Sequence, residues 1–375
     1  MVRKVSSCMA NYLIIATVGA ALSYAAEKCD RRLLKELIYA ALVIFFAVLA
    51  GFRDLSVGTD TAGYGVESYQ IARLFNFWSF YNASAYSTWS PFAKILVWAT
   101  SNLFGCVNAP LTAIGALVFA PFLCSARIEL QSYTPFAVFL FGIAFFPMSL
   151  NMMRQMVAMS FLLLAYVLLK CRGIVSFALA FSCALLFHSS ALVGLVILPV
   201  VIYAEGKGFS GGVKYILICM VAVVFAVFST SLIRLFSAAT GLFGDYVDGS
   251  QHMAGGGIRT LMITYGVFSV LFILGLLFSI KKTDVALETN ISLAALVTIG
   301  IVLLPLSLWT FYLYRIGMIF IYYSVLLIPY VASQISDRNT RLFFAAVAVF
   351  LFVLWSFDYY CIQHSHEVIP YLLCL

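Results

Sequence analysis

Apolar runs of spanning length recur along this chain with short polar turns between them, a pattern that predicts a bundle of membrane helices. Stretches near 8–25, 36–52, 89–106, 109–125, 135–152, 155–169, 174–203, 215–236, 260–280, 291–309, 316–333 and 342–357 are each read as a candidate span, since ~20 apolar residues cross the ~30 Å hydrocarbon core. The expected architecture is all-α and polytopic, roughly 11–14 transmembrane helices forming a single integral membrane domain over 1–375. Two longer polar connections, 53–88 and 240–260, are both studded with aromatics, and neither is polar enough to be a separate soluble domain. Segment 174–203 exceeds one comfortable span and is interrupted by His188-Ser189-Ser190. It is expected to be a bent or paired element whose polar middle faces protein or water.

Composition agrees with the pattern: 64% of residues are hydrophobic and only 10% charged, against roughly 25% charged in a soluble domain. The net charge of +7 does not point to nucleic acid, because the basic residues gather in short turns: Lys28/Arg31/Arg32/Lys35, Lys170/Arg172, Lys207/Lys214, Lys281/Lys282 and Arg338/Arg341. That distribution is the positive-inside signature, which places these turns in the cytoplasm and loops 53–88 and 240–260, the 310–315 turn and the segment after the last span outside. The count of crossings leaves one conflict. Three apparent spans separate Arg53 from Arg154, which puts them on opposite sides unless one span is re-entrant or a helix within Ser68–Tyr81 dips into the membrane. Residues 3–25 imitate a signal peptide, but basic residues and another span follow at once, so a retained first helix is expected. The nine cysteines sit mostly singly in apolar runs without zinc spacing, and no internal repeat of the transporter kind is evident.

Charges at the ends of the spans carry the chemistry. An ionisable side chain inside a membrane costs ~2.5–3.5 kcal/mol at a helix centre and marks a functional site by default. Arg53, Asp60, Arg154, His188 and Arg315 are so placed, and three arginines with a histidine point to an anionic ligand. In Gly51–Tyr64, Gly58 and Gly63 permit tight turns, Asp60 between two threonines can cap a helix or accept a proton, and Tyr64 offers a ring; an ordinary helix exit would look the same. His188 is a candidate general base beside a plain alternative, a core histidine bonded to its neighbours, and Asp60 is the rival base. Asp245, Asp248, His252 and Gly255-Gly256-Gly257 form a glycine-rich loop that could close over a ligand or simply be external. His364-Ser365-His366-Glu367 lacks zincin spacing and carries no metal assignment.

Arg53-x-x-x-Val57-Gly58-Thr59-Asp60-Thr61-x-x-Tyr64 after the second span resembles the opening motif of EpsG-type, O-antigen-polymerase-like (Wzy) membrane glycosyltransferases. Arg154-Gln155-x-x-Ala158, then Phe187-His188-x-Ser190-Ala191, is similar to that family's next two motifs, and Tyr314-Arg315 followed by Tyr322-Tyr323 resembles its late arginine. The resemblance implies a GT-C-like membrane glycosyltransferase of the bacterial cytoplasmic (inner) membrane, working on its periplasmic or exterior face in O-antigen or similar polysaccharide biosynthesis. The implied reaction transfers a glycan from one polyprenyl-pyrophosphate carrier to the non-reducing end of a second lipid-linked repeat unit. The implied partners are that donor and acceptor, the bilayer and a chain-length regulator protein, with no cofactor and no metal. Arg154, Arg315 and Arg53 would hold pyrophosphate, His188 or Asp60 would serve as base, and Tyr64, Gln155 and Tyr314 would meet the glycan. A flippase for the same lipid-linked glycan would use the same arginines, and an acyltransferase would use His188, so both remain rival readings.

Overall fold

Helix boundaries follow the apolar runs, and the departures are informative. The computed structural model describes residues 2–87, 89–206, 213–218, 220–221, 257–280, 290–305 and 311–373. No strand occurs among the described residues, and six helical runs there are long and apolar enough to cross a membrane: Met9–Glu27, Arg32–Gly51, Asn108–Ser149, Met153–Arg172, Tyr314–Gln334 and Arg338–Ile362. The chain is an all-α polytopic membrane protein. It forms two compact units, Met1–Leu195 with Phe352–Leu375, and Val196–Leu351.

In the first unit, α1 (Val2–Glu27) and α2 (Arg32–Gly51) are joined by the basic turn at 28–31. The long run at Asn108–Ser149 is folded in two: α6 (Asn108–Leu130) ends where Gln131 adopts φ 48, and the chain returns through α7 (Thr134–Leu140), a wide helical turn at Phe141–Phe145 and α8 (Phe146–Ser149). Before it come the short α3 (Ser68–Leu74) and α4 (Phe77–Tyr81), and α5 (Pro91–Phe104). After it, α9 (Met153–Arg172) and α10 (Ile174–Phe187) form a hairpin about Gly173.

Packing follows membrane rules. Lipid tails are as apolar as leucine, so helices associate where small residues let their backbones approach. A Cβ at Gly115 of α6 would lie 2.6 Å from Ala50 Cβ and 3.2 Å from Ala47 Cα of α2. Phe46 stacks on Phe119 at 4.1 Å and Phe122 on Phe141 at 4.4 Å, contacts worth ~0.5–1.5 kcal/mol each beyond the area they bury.

These contacts give the unit two distinct ends. At one, the end of α1, the start of α2 and the ends of α6 and α9 meet through Lys35–Glu27 (2.8 Å), Arg127–Glu36 (2.6 Å) and Lys170–Glu129 (2.7 Å). At the other, Gly51 meets Thr112, and Arg53 reaches Leu150 and Met153. The conflict over Arg53 and Arg154 resolves here, because α5 does not cross. Its leading Trp89 lies at Arg154 (4.5 Å), and at its far end Gly105 accepts from Tyr69 (2.8 Å), while Gly65 nearby lies against Leu111 at the start of α6. Along its length α5 runs beside α3 and α4 through Asn102 Nδ2 to Ala72 O, Trp98 Nε1 to Phe75 O and Lys94 Nζ to Tyr81 O. Two crossings, α6 and the α7–α8 run, therefore separate Arg53 from Arg154, and both lie at the same end.

In the second unit, α11 (Ile197–Glu205), α12 (Gly257–Ile280), α13 (Ile291–Leu303), α14 (Phe311–Ile321), α15 (Ser324–Gln334) and most of α16 (Arg338–Ser356) are described. The mostly buried α13 packs on α11, α12, α14 and α15. Segment 174–203 breaks as its polar interruption predicts: α10 stops at Phe187, His188 is extended, and a tight helical stretch at Ser189–Val196 leads into α11.

Candidate active site at the loop end of the first unit

Arg53 leaves α2 and turns inward; it is only 1% exposed. Its guanidinium donates through Nε to Val57 O (3.2 Å), through one terminal nitrogen to Ala50 O, and through the other to Thr61 Oγ1 (3.0 Å), Leu150 O (2.7 Å) and Met153 Sδ (3.5 Å). None of these acceptors carries a charge. Burial pulls its pKa down to about 10, which leaves the group cationic at neutral pH. Because its donors are turned to protein acceptors, Arg53 ties the 53–61 loop to the turn before α9.

The loop itself is built on Gly58. Its φ of 92 lies in the left-handed region, and a Cβ there would meet Leu150 O at 2.9 Å, so only glycine fits. That turn delivers Thr59 and Asp60 to Asn151: Asn151 Oδ1 accepts from Thr59 Oγ1 (2.9 Å) and from the Asp60 main-chain N–H (2.6 Å). Asp60 is half-buried at the head of the wide helical turn Thr61–Glu67. Asn151 Nδ2 lies 2.8 Å from His366 Nδ1, and His366 Nε2 lies 3.1 Å from the Tyr359 hydroxyl.

Arg154, on the first turn of α9, stands over two rings, with its guanidinium carbon 5.1 Å from the Tyr64 centroid and 4.5 Å from that of Trp89. A guanidinium over a ring face is held by the quadrupole while its N–H groups stay in its own plane. Behind Trp89 sits Tyr86 at 4.7 Å, then Phe80 at 5.3 Å from Tyr86. Burial, helped by Glu67, pushes the Tyr86 hydroxyl up to about 12, so it remains a donor at neutral pH. Gln155 is buried beside Arg154 in sequence.

His188 terminates α10. Its Nδ1 receives the Ser190 main-chain N–H (3.2 Å) and lies 2.7 Å from Ser190 Oγ. A main-chain N–H can only donate, so Nδ1 accepts and the neutral ring carries its proton on Nε2. Phe187 stacks on Phe161 of α9 (6.2 Å) and meets Phe92 of α5 (5.9 Å), so His188 belongs to the same end as Trp89 and Arg154. Along the hairpin it lies about two helical turns, ~10 Å, from the level of Arg154.

Arg53, Asp60, Tyr64, Arg154, Gln155 and His188 thus share one unit and one end of it. Half-buried Arg315 and buried Tyr314 lie on α14 of the second unit. Asp245, Asp248, His252, Gly255 and Gly256 lie outside the described residues.

One family model, described as the EpsG family, matches residues 36–373, nearly the whole chain. The chain belongs to the EpsG family. The match runs through the Arg53–Tyr64 loop, the start of α9, the His188 break and the segment carrying His366. No curated protein and no solved structure matches this EpsG-family chain. Membership brings a glycosyltransferase-like, polymerase-type role in surface polysaccharide synthesis. Among the described residues there is no group of three or more His, Cys, Asp or Glu side chains that could hold a metal ion.

Asn151, Tyr359 and His366 join the site without having been candidates for it, and Trp89 joins it beside Arg154. The one signal in the sequence was an asparagine at the end of the apolar run 135–152, three residues before Arg154.

Proposed function

We propose that this protein polymerises lipid-linked oligosaccharide repeat units, moving a glycan from a polyprenyl-pyrophosphate carrier to the non-reducing end of a second lipid-linked unit. The observation that carries the reading is Arg53, a buried cation whose hydrogen-bond acceptors are all neutral. Breaking a buried ion pair by removing one partner costs several kcal/mol. A positive charge retained inside without a carboxylate supplies a field for an anion that arrives from outside the fold. Arg154, the residue after the Met153 that Arg53 reaches, has a planar fork suited to paired phosphate oxygens. Arg53 therefore shapes and polarises the site, and Arg154 meets the pyrophosphate. For Arg315 and Tyr314 the roles rest on the family motif alone.

In the proposed reaction Asp60 takes the proton of the acceptor hydroxyl and the freed oxygen attacks the anomeric carbon. The bond from that carbon to the pyrophosphate oxygen breaks, and the polyprenyl pyrophosphate leaves with its charge held by arginine. The tautomer of His188 favours Asp60 as base, since the proton on Nε2 makes the histidine a donor toward a sugar hydroxyl or phosphate oxygen. Tyr64 is 42% exposed and offers the glycan a ring face, while buried Trp89, its centroid 5.7 Å from that of Tyr64, steadies Arg154 beside it. With the basic end of the first unit in the cytoplasm, the site faces the periplasm or exterior, where a polyprenyl tail can stay in the bilayer.

Purified protein in detergent, supplied with lipid-linked repeat units, should yield polymer without any membrane gradient and without an acyl donor. Movement of the lipid-linked unit across vesicles without polymer would mark a flippase, and dependence on an acyl donor an acyltransferase. With fixed cations holding the leaving group, turnover should persist in EDTA. Loss in EDTA that magnesium or manganese restores would remove the arginine account.

A further inference from the structure

Segment 363–373 lies across the Asp60 loop and is held to it by main chain and side chain. Gly58 N–H donates to Glu367 O (3.0 Å), Asp54 N–H to Leu372 O (2.8 Å), and Arg53 forms a single antiparallel bridge with Leu373. The segment is anchored in turn to the helices: Tyr12 hydroxyl to Val368 O (2.7 Å), Asn11 Nδ2 to Tyr371 O (3.1 Å) and Tyr371 hydroxyl to Leu49 O (2.8 Å). Its backbone is strained. His364, His366 and Glu367 have φ of 50, 69 and 50, values that L-residues rarely adopt and that persist where the surroundings over-determine them.

We infer that His366 and Asn151 are positioning residues, which hold the Asp60 turn at the point where the proposed reaction needs its carboxylate; the inference rests on the assignment of Asp60 as base. The argument turns on which way the Asn151 amide faces. The Asp60 N–H, 2.6 Å away, can only donate, so the atom it meets is Oδ1 and the amide nitrogen faces His366. His366 Nδ1 must then accept at 2.8 Å, so its proton sits on Nε2, which donates to the Tyr359 hydroxyl at 3.1 Å. Tyr359 is buried and stacks on Trp355 at 5.2 Å, which fixes the far side of the ring. An Asn151 flipped by half a turn would point Nδ2 at the Asp60 N–H. By accepting from Nδ2, His366 selects the orientation that grips Asp60, and it does so from the other side of the turn. His366 need not touch substrate, and both its ring nitrogens are engaged within the protein.

Two substitutions at 366 separate the side chain from the strained backbone. Glycine tolerates φ 69 and removes the ring; asparagine also tolerates the left-handed region and can present an acceptor where Nδ1 lay. In His366→Gly, amide exchange across peptide 53–61 in detergent should rise by about tenfold or more as the turn opens locally. Turnover on lipid-linked units should fall by about tenfold or more with KM nearly unchanged, since a small misplacement of a reacting group is expensive. His366→Asn should restore both to within about threefold of the native values. Should the glycine variant not fold, Asn151→Ala tests the same grip with the same expected rise in exchange and loss of turnover. Exchange at 53–61 that stays native in these variants overturns the inference whatever the activity. Faster exchange with undiminished turnover overturns it too, and removes Asp60 from the reaction. Native protein that makes no polymer defeats the functional reading alone, because the exchange measurement does not depend on it.

Discussion

The two ends of the first unit hold their cations in opposite ways. At the basic end Lys35, Arg127 and Lys170 each meet a glutamate, and Arg127 grips Glu36 with both terminal nitrogens at 2.9 and 2.6 Å while lying 4.0 Å over the Tyr39 ring. At the loop end Arg53 is surrounded by carbonyls, a hydroxyl and a sulfur, and Arg154 stands over aromatic faces. Charge that is matched inside the fold serves the fold. At the loop end the cations lie against carbonyls, a hydroxyl, a sulfur and ring faces, and there the proposed ligand is pyrophosphate.

The sharpest expected contrast between the ends is accessibility, which is all or none. Cys106 at the turn before α6 and Cys171 near the end of α9 are both exposed, so variants retaining one or the other probe the two ends directly. An impermeant reagent added to intact cells should label Cys106 and spare Cys171; the reverse pattern would turn the site to the cytoplasm, away from an exported glycan. Next in size is Asp60→Asn, which should lower turnover by ~10²–10⁴-fold at matched protein amounts, as expected for loss of a base. A smaller deficit would return the role of base to His188. Arg154→Lys should be nearly as impaired as Arg154→Ala, with losses on the order of 10²-fold, because lysine keeps the charge but not the fork. Near-normal polymer from the lysine variant would show that charge alone suffices. If His188 acts as a donor, His188→Gln should stay within about threefold of native turnover, since an amide N–H can take the place of Nε2–H. A collapse in the glutamine variant would speak for proton abstraction. The smallest effect belongs to the basic end: Arg127→Gln should leave turnover intact and cost about 1 kcal/mol or less, the usual worth of an exposed pair.

Spans were legible because apolar length is a strong signal, and Arg53, Asp60, Arg154 and His188, which the structure brings to one end of the first unit, stood out because charge at the end of a span is rare. What hydropathy could not show is how a helix is oriented. The α5 sequence is apolar enough to be read as a crossing, yet its pairing with α3 and α4 depends on Trp98, Asn102 and Tyr69, whose hydrogen bonds leave no periodic trace. The Asn151–His366 contact spans 215 residues and involves a neutral amide and one histidine, neither costly enough to stand out. Arg53 shows the same limit from the other side: the sequence marked it as charged beside a membrane, but only the structure shows its donors turned inward.

The order of synthesis gives segment 363–373 one more meaning. Tyr12, the 53–61 turn and Asn151 are all made long before His366, so a growing chain can insert α1 to α10 while the Asp60 turn still lacks half of its grip. Maturation of the site is thereby delayed until the distant segment has been threaded back to the first helices. In the proposed reaction, a lipid-linked glycan reaching the partly made protein would meet the arginines before the attacking geometry is set.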